Sequence, residues 1–115
     1  MSTPLIQLLQ GYLRVTSDRQ QTVAGNIANV DTPGYHTKDI NFESAMRQVM
    51  NEGGSFHLEP VSNEVAGLPE RPDGNNVNID RESMMLAETQ LQSQMGVQLI
   101  KAEFHKLLTA IKEGN

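Results

Sequence analysis

The sequence contains no cysteine and no tryptophan, and aromatic residues make up only 4% of its 115 residues. Without cysteine, the chain has no disulfide framework, no thiolate ligand for zinc and no thiol nucleophile. The formal net charge of −5 disfavours a nucleic-acid partner held by phosphate contacts. No apolar run approaches the roughly 18 residues that a membrane-spanning helix needs. What remains is a chain of single-domain length whose apolar residues are mostly aliphatic, as in helix packing.

The first part of the chain has the pattern of a long amphipathic helix, which we predict for residues 3–30. Thr3 suits the N-cap and Pro4 the first helical position. Gly11 and Gly25 lie inside this helix, and each lowers its intrinsic stability by roughly 1 kcal/mol relative to alanine. Apolar residues spaced by three and four predict a heptad-like seam against another helix. The seam includes Leu5, Leu9, Tyr12 and Val23, with Thr16 and Arg19 in its middle.

For residues 31–78 the sequence predicts a turn, a short helix and an irregular loop. Thr32-Pro33-Gly34-Tyr35 fits a type II turn, because Pro33 fixes φ at the second position and Gly34 accepts a positive φ at the third. The first helix therefore ends near Asn29 to Asp31. Residues 42–51 have a helical apolar period, with Asn41 as cap. The loop that follows is rich in glycine and proline, and its one candidate strand is Ser55 to Leu58.

A second long helix is predicted for residues 79–113, with Asn78 as its N-cap. It has more apolar surface than one partner helix of this chain can cover, so we expect part of that surface to form an intermolecular interface. Its main seam consists of Val97, Ile100, Phe104, Leu107 and Ile111, and a second stripe consists of Leu91, Met95 and Leu99.

Side chains capable of catalysis or metal binding show no recognisable pattern. His36, His57 and His105 form no pair at helical spacing, and Asp73 to Asn76 lacks the alternating acids and distal glutamate of a calcium loop. The helical acids Asp80, Glu82 and Glu88 read as a solvated face. We therefore predict no enzyme activity, no cofactor and no metal.

These patterns together predict a single, mainly α domain over residues 1–115. Its long N- and C-terminal helices pair as a coiled-coil-like hairpin, with a short helix and an irregular loop between them. A soluble adaptor or secretion chaperone that dimerises through its helical seams also fits these features. Such a protein does not explain the residues from Asn26 to Tyr35, which a generic coiled coil does not need.

Those residues resemble the signature of the bacterial flagellar rod and hook family, in which a helix ends in a similar motif near the N-terminus. Gly25 replaces the first asparagine of the pair that the family usually has within this motif, and Asn26 matches the second. The matching residues in this sequence are Ala24, Asn26, Ile27, Ala28, Asn29, Thr32, Pro33, Gly34, Tyr35 and Phe42.

The start of the last helix is similar to that of a small proximal rod subunit of the same family. The Asp73-Gly74-Asn75-Asn76 stretch favours this type over the other small rod subunit, which typically has a proline before Asn-Val. Distal rod and hook subunits carry large inserted domains, for which this chain has no room. The matching residues are Asp73, Gly74, Asn75, Val77, Asp80 and Glu82.

The resemblance implies a structural protein that polymerises helically and transmits torque. The implied partners are copies of itself, other flagellar rod subunits, the basal adaptor and inner-membrane ring proteins, and the flagellar export apparatus. The implied location is the periplasmic rod of the flagellar basal body. The N-terminus has no basic start and no cleavage site, so we expect export without a cleaved signal peptide.

Overall fold

The computed structural model describes residues 3–52 and 62–114, and over these residues the chain forms an elongated, mainly helical hairpin. The elements in chain order are α1 (Pro4–Ala28), β1 (Lys38–Ile40), α2 (Phe42–Asn51), β2 (Ser62–Glu64) and α3 (Ile79–Glu113). The Cα atoms extend over 69 × 24 × 17 Å. The predicted arrangement of two long helices joined by a short helix and loop is confirmed. The candidate strand from Ser55 to Leu58 lies outside the described residues.

Each helix begins directly after the residue that the sequence predicts as its N-cap. The side-chain oxygens of Thr3, Asn41 and Asn78 accept hydrogen bonds from the backbone N–H three residues later, at 2.9 to 3.1 Å. These bonds satisfy N–H groups that have no partner within the helix. At its other end α1 stops at Ala28, with Asn29 as the C-cap. The helix therefore ends at the start of the interval that the turn chemistry predicts.

The two long helices pack antiparallel along a seam with a seven-residue period. A repeat of this kind is typical of coiled-coil packing. On α3 the buried seam residues are polar or small, whereas the large apolar residues of that helix are mostly exposed. The buried residues at this spacing are Leu9, Thr16 and Val23 on α1, and Glu82, Thr89 and Gly96 on α3.

A small apolar core lies between α1, β1 and α2. It consists of Val15, Ile40, Ala45 and Val49, which are all buried. At its edge the rings of Tyr12 and Phe42 meet edge to face, with centroids 5.7 Å apart. This core fixes α2 against one side of α1 and leaves α3 to pack elsewhere on α1.

Two helical glycines allow close helix contacts. A Cβ at Gly11 would clash with the side chain of Val49, and one at Gly96 would lie 2.7 Å from Leu13 Cδ2. Gly25 has open space around it. Gly11, which the sequence marks only as a weak helix position, is therefore required for the packing of α2 on α1.

Two short strands, which the sequence analysis did not predict, pair beside the end of α1. Lys38, Asp39 and Ile40 pair antiparallel with Glu64, Asn63 and Ser62. Strands of three residues with one buried side chain carry too little alternation to be recognised from sequence. No helix in the described part of the chain is both long and apolar enough to cross a membrane.

Candidate functional site

The predicted motif residues from the two halves of the chain meet where α1 ends and α3 begins. We call this region the elbow and define it as residues 26–38 together with residues 71–82. Its first part is the turn from Thr32 to Tyr35, in which the Tyr35 N–H donates to the Thr32 carbonyl at 3.2 Å. Gly34 has φ +74°. The type II turn predicted from the sequence is confirmed.

A second turn, from Arg71 to Gly74, docks directly on the first. The Gly74 N–H donates to the Arg71 carbonyl at 2.8 Å, and the Gly34 N–H donates to the Asp73 carbonyl at 2.9 Å. Gly74 also has a positive φ, of +84°. A Cβ at Gly74 would lie 3.4 Å from the Cα of Gly34. The two glycines, which are 40 positions apart, thus let the two turns approach each other backbone to backbone. The Arg71 side chain also links the two segments by donating to the Val30 carbonyl.

Asn75, which lies in the segment before α3, caps the C-terminal end of α1. Its fully buried amide Nδ2 donates to the carbonyls of Asn29 and Thr32 at 2.9 and 2.8 Å. Its Oδ1 accepts from the Val77 N–H at 2.8 Å. Asn29 caps the helix as well, because its own amide donates to the Gly25 carbonyl at 2.8 Å. Carbonyls that a helix end leaves without partners are therefore satisfied by motif side chains.

Asn26 joins three elements through one buried amide. Its Nδ2 donates to the Lys38 carbonyl at 2.7 Å and to Glu82 Oε1 at 2.5 Å. Its Oδ1 accepts from the Lys38 N–H and from Tyr35 Oη, both at 3.0 Å. All four hydrogen-bonding positions of the amide are filled. Asn26 therefore ties α1 to β1, to the turn and to α3.

The interpretation of Glu82 as part of a solvated acidic face is wrong. Glu82 has 0% of its surface exposed, and its second oxygen, Oε2, accepts from Arg81 at 2.5 Å. Helical spacing alone does not reveal this burial, because the partner Asn26 lies 56 positions away in the chain. A buried carboxylate of this kind requires its partners, since an unpaired charge in the interior is strongly destabilising.

A charged cluster next to Glu82 was not predicted from the sequence. Arg19 donates to both carboxylate oxygens of Asp39 at 3.1 and 3.3 Å, and lies 3.7 Å from Glu88. Arg81 approaches Asp39 at 3.5 Å. The cluster connects α1, β1 and α3, so the charges that compensate one another lie at large sequence separations.

Thr37 and Asn76 form another buried polar contact that sequence reasoning missed. Asn76 Oδ1 accepts from the Thr37 N–H at 2.6 Å and from Thr37 Oγ1 at 2.9 Å. Asn76 also donates its backbone N–H to the Tyr35 carbonyl at 3.2 Å. The asparagine-rich stretch before α3 is therefore a set of side chains fitted to the backbone after α1.

Two titratable groups of the elbow have shifted pKa values. The backbone N–H of Asn75, assisted by the Arg71 guanidinium, holds the pKa of Asp73 below its usual value of 3.8. Burial, followed by the nearby negative charge of Glu82, raises the pKa of Tyr35 above 10.0. At neutral pH the geometry therefore holds Asp73 ionised and keeps the Tyr35 hydroxyl as a donor to Asn26.

Some predicted motif residues lie outside these contacts. Ala28, Pro33 and Asp80 are exposed, and Ile27 is half-buried. Phe42 lies away from the elbow, against Tyr12. The structure thus separates the motif into a buried group within the subunit and an exposed group on its surface.

The predicted histidine positions show no metal-site geometry in the part of the chain described. The ring nitrogens of His36 lie 2.9 Å from Glu70 and 3.5 Å from Glu64, which ties the loop before α3 to the start of β1. His105 is exposed on α3, and His57 lies outside the described residues. Over residues 3–52 and 62–114, no three histidine or acidic side chains converge as metal ligands do.

The far part of α3 differs from the elbow in having uncovered apolar side chains. We call residues 91–113 the arm. Leu91 and Met95 are 59% and 55% exposed and, with Leu99, line an open groove along one face of the helix. Ile100 and Leu107 are half-buried. The other seam residues are exposed: Val97, Phe104 and Ile111.

Comparison with known proteins identifies the family to which the chain is similar. The model of the family described as flagella basal body rod protein matches residues 13–36, which include α1's second half and the turn. The chain is 32% identical to the flagellar basal body rod protein FlgB of Salmonella typhimurium, over 96% of this chain and 94% of that protein. It is 30% identical to FlgB of Escherichia coli with the same coverage, and 26% identical to FlgB of Yersinia ruckeri over 95% and 94%.

The chain therefore belongs to the flagellar basal body rod protein family. Within the family it is a rod protein of the FlgB type. The comparisons do not favour the other small rod subunit, or a dimeric adaptor or secretion chaperone.

Proposed function

We propose that this chain is a structural subunit of the proximal rod of the flagellar basal body, where it polymerises with other rod components and transmits torque. Its relatives are named as basal body rod proteins and match it over nearly its whole length. The observation that carries the proposal is the contrast between the elbow and the arm. One end of the hairpin is closed by internal hydrogen bonds, whereas the other carries apolar side chains that have no cover.

The elbow supplies the stiffness that such a subunit needs. Asn26, Asn75 and Glu82 are each fully buried and hydrogen-bonded across sequence separations of 43 to 56 residues. A network of satisfied buried polar groups specifies one geometry and resists deformation. The angle at which α3 leaves α1 is thereby fixed before any neighbour binds.

The arm supplies the interface. Leu91, Met95 and Leu99 form a stripe on α3 to one side of the seam with α1, because they are separated from Thr89 and Gly96 by about 60° to 160° around the helix axis. Each is more than half exposed. Exposed apolar stripes of this kind mark contact surfaces, so we infer that neighbouring rod subunits cover this face.

The same proposal includes specific neighbours and a location for this chain. The neighbours would be further copies of this chain, the other rod subunits, and the adaptor and inner-membrane ring proteins at the rod's base. The flagellar export apparatus would deliver the chain to the periplasmic rod. We further propose that residues 1–115 act as one domain and that the motif and seam residues named above mediate folding and assembly.

Deletion and complementation test the function. A strain lacking this chain should lose motility and assembled rods, and the full chain supplied in trans should restore both. A tagged copy should also be recovered in purified basal bodies. Normal swimming in the deletion strain, or absence of the tagged chain from basal bodies, would refute the proposal.

A further inference from the structure

A groove lies between α2 and α3, beside α1. Phe42 and Met46 line it from α2, Glu88 and Gln92 from α3, and Arg19 from α1. Its volume of about 510 Å³ falls in the range of pockets that bind small ligands. It shares no lining residue with the groove on the arm, so it is a separate surface from the one that we assign to neighbouring subunits.

The shape of this groove is fixed by contacts within the subunit. Phe42 and Met46 pack against the buried core between α1, β1 and α2. The Phe42 ring also meets the Tyr12 ring edge to face, with centroids 5.7 Å apart. Arg19 is held by its hydrogen bonds to both carboxylate oxygens of Asp39, at 3.1 and 3.3 Å. A ligand therefore does not have to order these side chains when it binds.

Gln92 brings an unused hydrogen-bond acceptor to the groove. Its Oε1 is buried and has no hydrogen-bond partner among the residues that the structure describes. A buried polar atom without a partner is uncommon, because its loss of contact with water is not compensated. The last torsion of a glutamine side chain is broad, so the amide can turn its oxygen towards the groove. A ligand with an N–H or O–H group would supply the missing donor.

The charges around the groove complement an aromatic ring that carries a donor at its edge. Such a ring has a negative face and a positive edge. The Arg19 guanidinium attracts the face of a ring, and the Met46 sulfur makes favourable contacts with aromatic carbon. On α3, the Gln92 amide and the half-exposed Glu88 carboxylate provide oxygens for the donor. Tryptophan and tyrosine side chains have both features, whereas aliphatic and acidic side chains have neither.

A second copy of this chain cannot supply such a side chain. The sequence has no tryptophan and only two tyrosines. Tyr12 packs against Phe42 within the subunit, and Tyr35 donates its hydroxyl to Asn26. We propose that the groove between α2 and α3 binds a tryptophan or tyrosine side chain of a different protein. This goes beyond the proposed function, which requires only that neighbouring subunits cover the arm.

A pair of indole probes tests the chemistry of the groove. The first, 3-methylindole, has the ring and the N–H of a tryptophan side chain, whereas 1,3-dimethylindole has the ring without the N–H. We expect the full chain to bind 3-methylindole roughly tenfold more tightly, because only this probe donates to Gln92 Oε1. Titration of the probe's fluorescence measures both affinities, since a chain without tryptophan adds no indole emission.

Two glutamine variants of α3 show whether this preference arises in the groove. Gln92→Leu removes the acceptor at similar size, so the two probes should bind it equally. Gln90→Leu is the matched control and should keep the tenfold preference, because Gln90 is exposed and lies about 160° from Gln92 around the helix axis. In NMR spectra of methyl-labelled methionines, 3-methylindole should shift the Met46 signal and leave that of the exposed Met84 in place.

Photocrosslinking in motile cells tests the source of the side chain. The photoreactive amino acid p-benzoylphenylalanine replaces Arg47, an exposed residue that also lines the groove, or Gln90 as the control. Position 47 should crosslink to a segment of a different protein that contains tryptophan or tyrosine, and position 90 should not. Changing that tryptophan or tyrosine to leucine should reduce the crosslink roughly tenfold, because the ring loses its contacts with the groove.

Each measurement has a result that would overturn the proposal. These results are equal binding of the two probes by the wild type, a preference that survives in Gln92→Leu, and a larger shift at Met84 than at Met46. Crosslinks from position 47 only to this chain, only to segments without tryptophan or tyrosine, or to nothing would also overturn it. The proposed function is tested separately by motility and by recovery in basal bodies, and it stands if the groove binds no aromatic side chain.

Discussion

The elbow and the arm differ in the chemistry of their side chains and in how far those side chains are covered within the subunit. At the elbow, buried amides and one buried carboxylate satisfy one another across α1, β1 and α3. In the arm, leucine and methionine side chains remain exposed. Polar networks require defined geometry, whereas apolar faces accept any partner of suitable shape. The difference fits our proposal that the subunit fixes its own angle internally and that neighbouring subunits cover its apolar face.

The largest expected effect is the loss of Asn26. Asn26→Ala removes four hydrogen bonds and leaves Glu82 and the Lys38 backbone with buried groups that lack a partner, so we expect a loss of about 3 kcal/mol of stability. Urea unfolding measures it. Asn51→Ala, at an exposed position in α2, is the matched control and should change stability by less than about 0.5 kcal/mol. Equal effects for the two variants would contradict the description of the elbow as a buried joint.

The next effect distinguishes two glycines of the same helix. Gly11→Ala forces a methyl group into Val49 and should destabilise the chain by about 1 to 2 kcal/mol despite the better helix propensity of alanine. Gly25→Ala meets open space and should stabilise it by up to about 1 kcal/mol. Thermal unfolding of both variants measures the two signs. Stabilisation by both substitutions would show that α2 does not pack closely at Gly11.

Substitutions in the arm should impair motility and leave stability unchanged, whereas substitutions in the elbow should lower stability. Leu91→Gln combined with Met95→Gln alters side chains that are already exposed, so the stability of the free subunit should change by less than about 0.5 kcal/mol. Motility should nevertheless be lost, because the face that we propose neighbouring subunits cover becomes polar. Met50→Gln, at a similarly exposed methionine on α2, is the control and should still swim. Normal swimming by the arm variant would refute the assembly role of this face.

The smallest effect concerns the pH dependence of the elbow. Because the folded pKa of Asp73 is depressed, its contribution to stability is present above the unfolded pKa and is lost as pH falls through the folded value. Asp73→Asn lacks this contribution at every pH. The difference between wild type and variant should therefore be greatest near pH 7 and should shrink below pH about 4. Urea midpoints of the wild type and the variant at several pH values measure it. A difference between the two that does not change with pH would contradict the prediction.

Local chemistry accounts for the features that could be predicted from sequence. The caps Thr3, Asn41 and Asn78 and the turn at Gly34 depend on a few adjacent residues, and all four are confirmed. The elbow depends instead on pairs such as Asn26 with Glu82, of which helical spacing assigns Glu82 to solvent. Its partners meet only after the hairpin closes, so no local pattern records them. The motif resemblance identified many of these residues without showing their contacts.

For the arm, sequence periodicity predicts the exposed apolar stripes but not the seam that α3 forms with α1. The apolar stripes of α3 correctly indicate a long amphipathic helix, and their excess apolar surface agrees with the exposure of Leu91 and Met95. Periodicity does not show that the internal seam uses Thr89 and Gly96 instead. Small and polar residues form that seam because α1 approaches closely there, as the contacts of Gly96 show.

A density map of the assembled basal body, with this chain placed in it, tests the central claim most directly. The account predicts that the bonds of Asn26, Asn75 and Glu82 remain within one subunit, while neighbouring subunits cover Leu91 and Met95. An arm that faces solvent in the assembled rod, or an elbow whose buried bonds are replaced by bonds to neighbours, would contradict it.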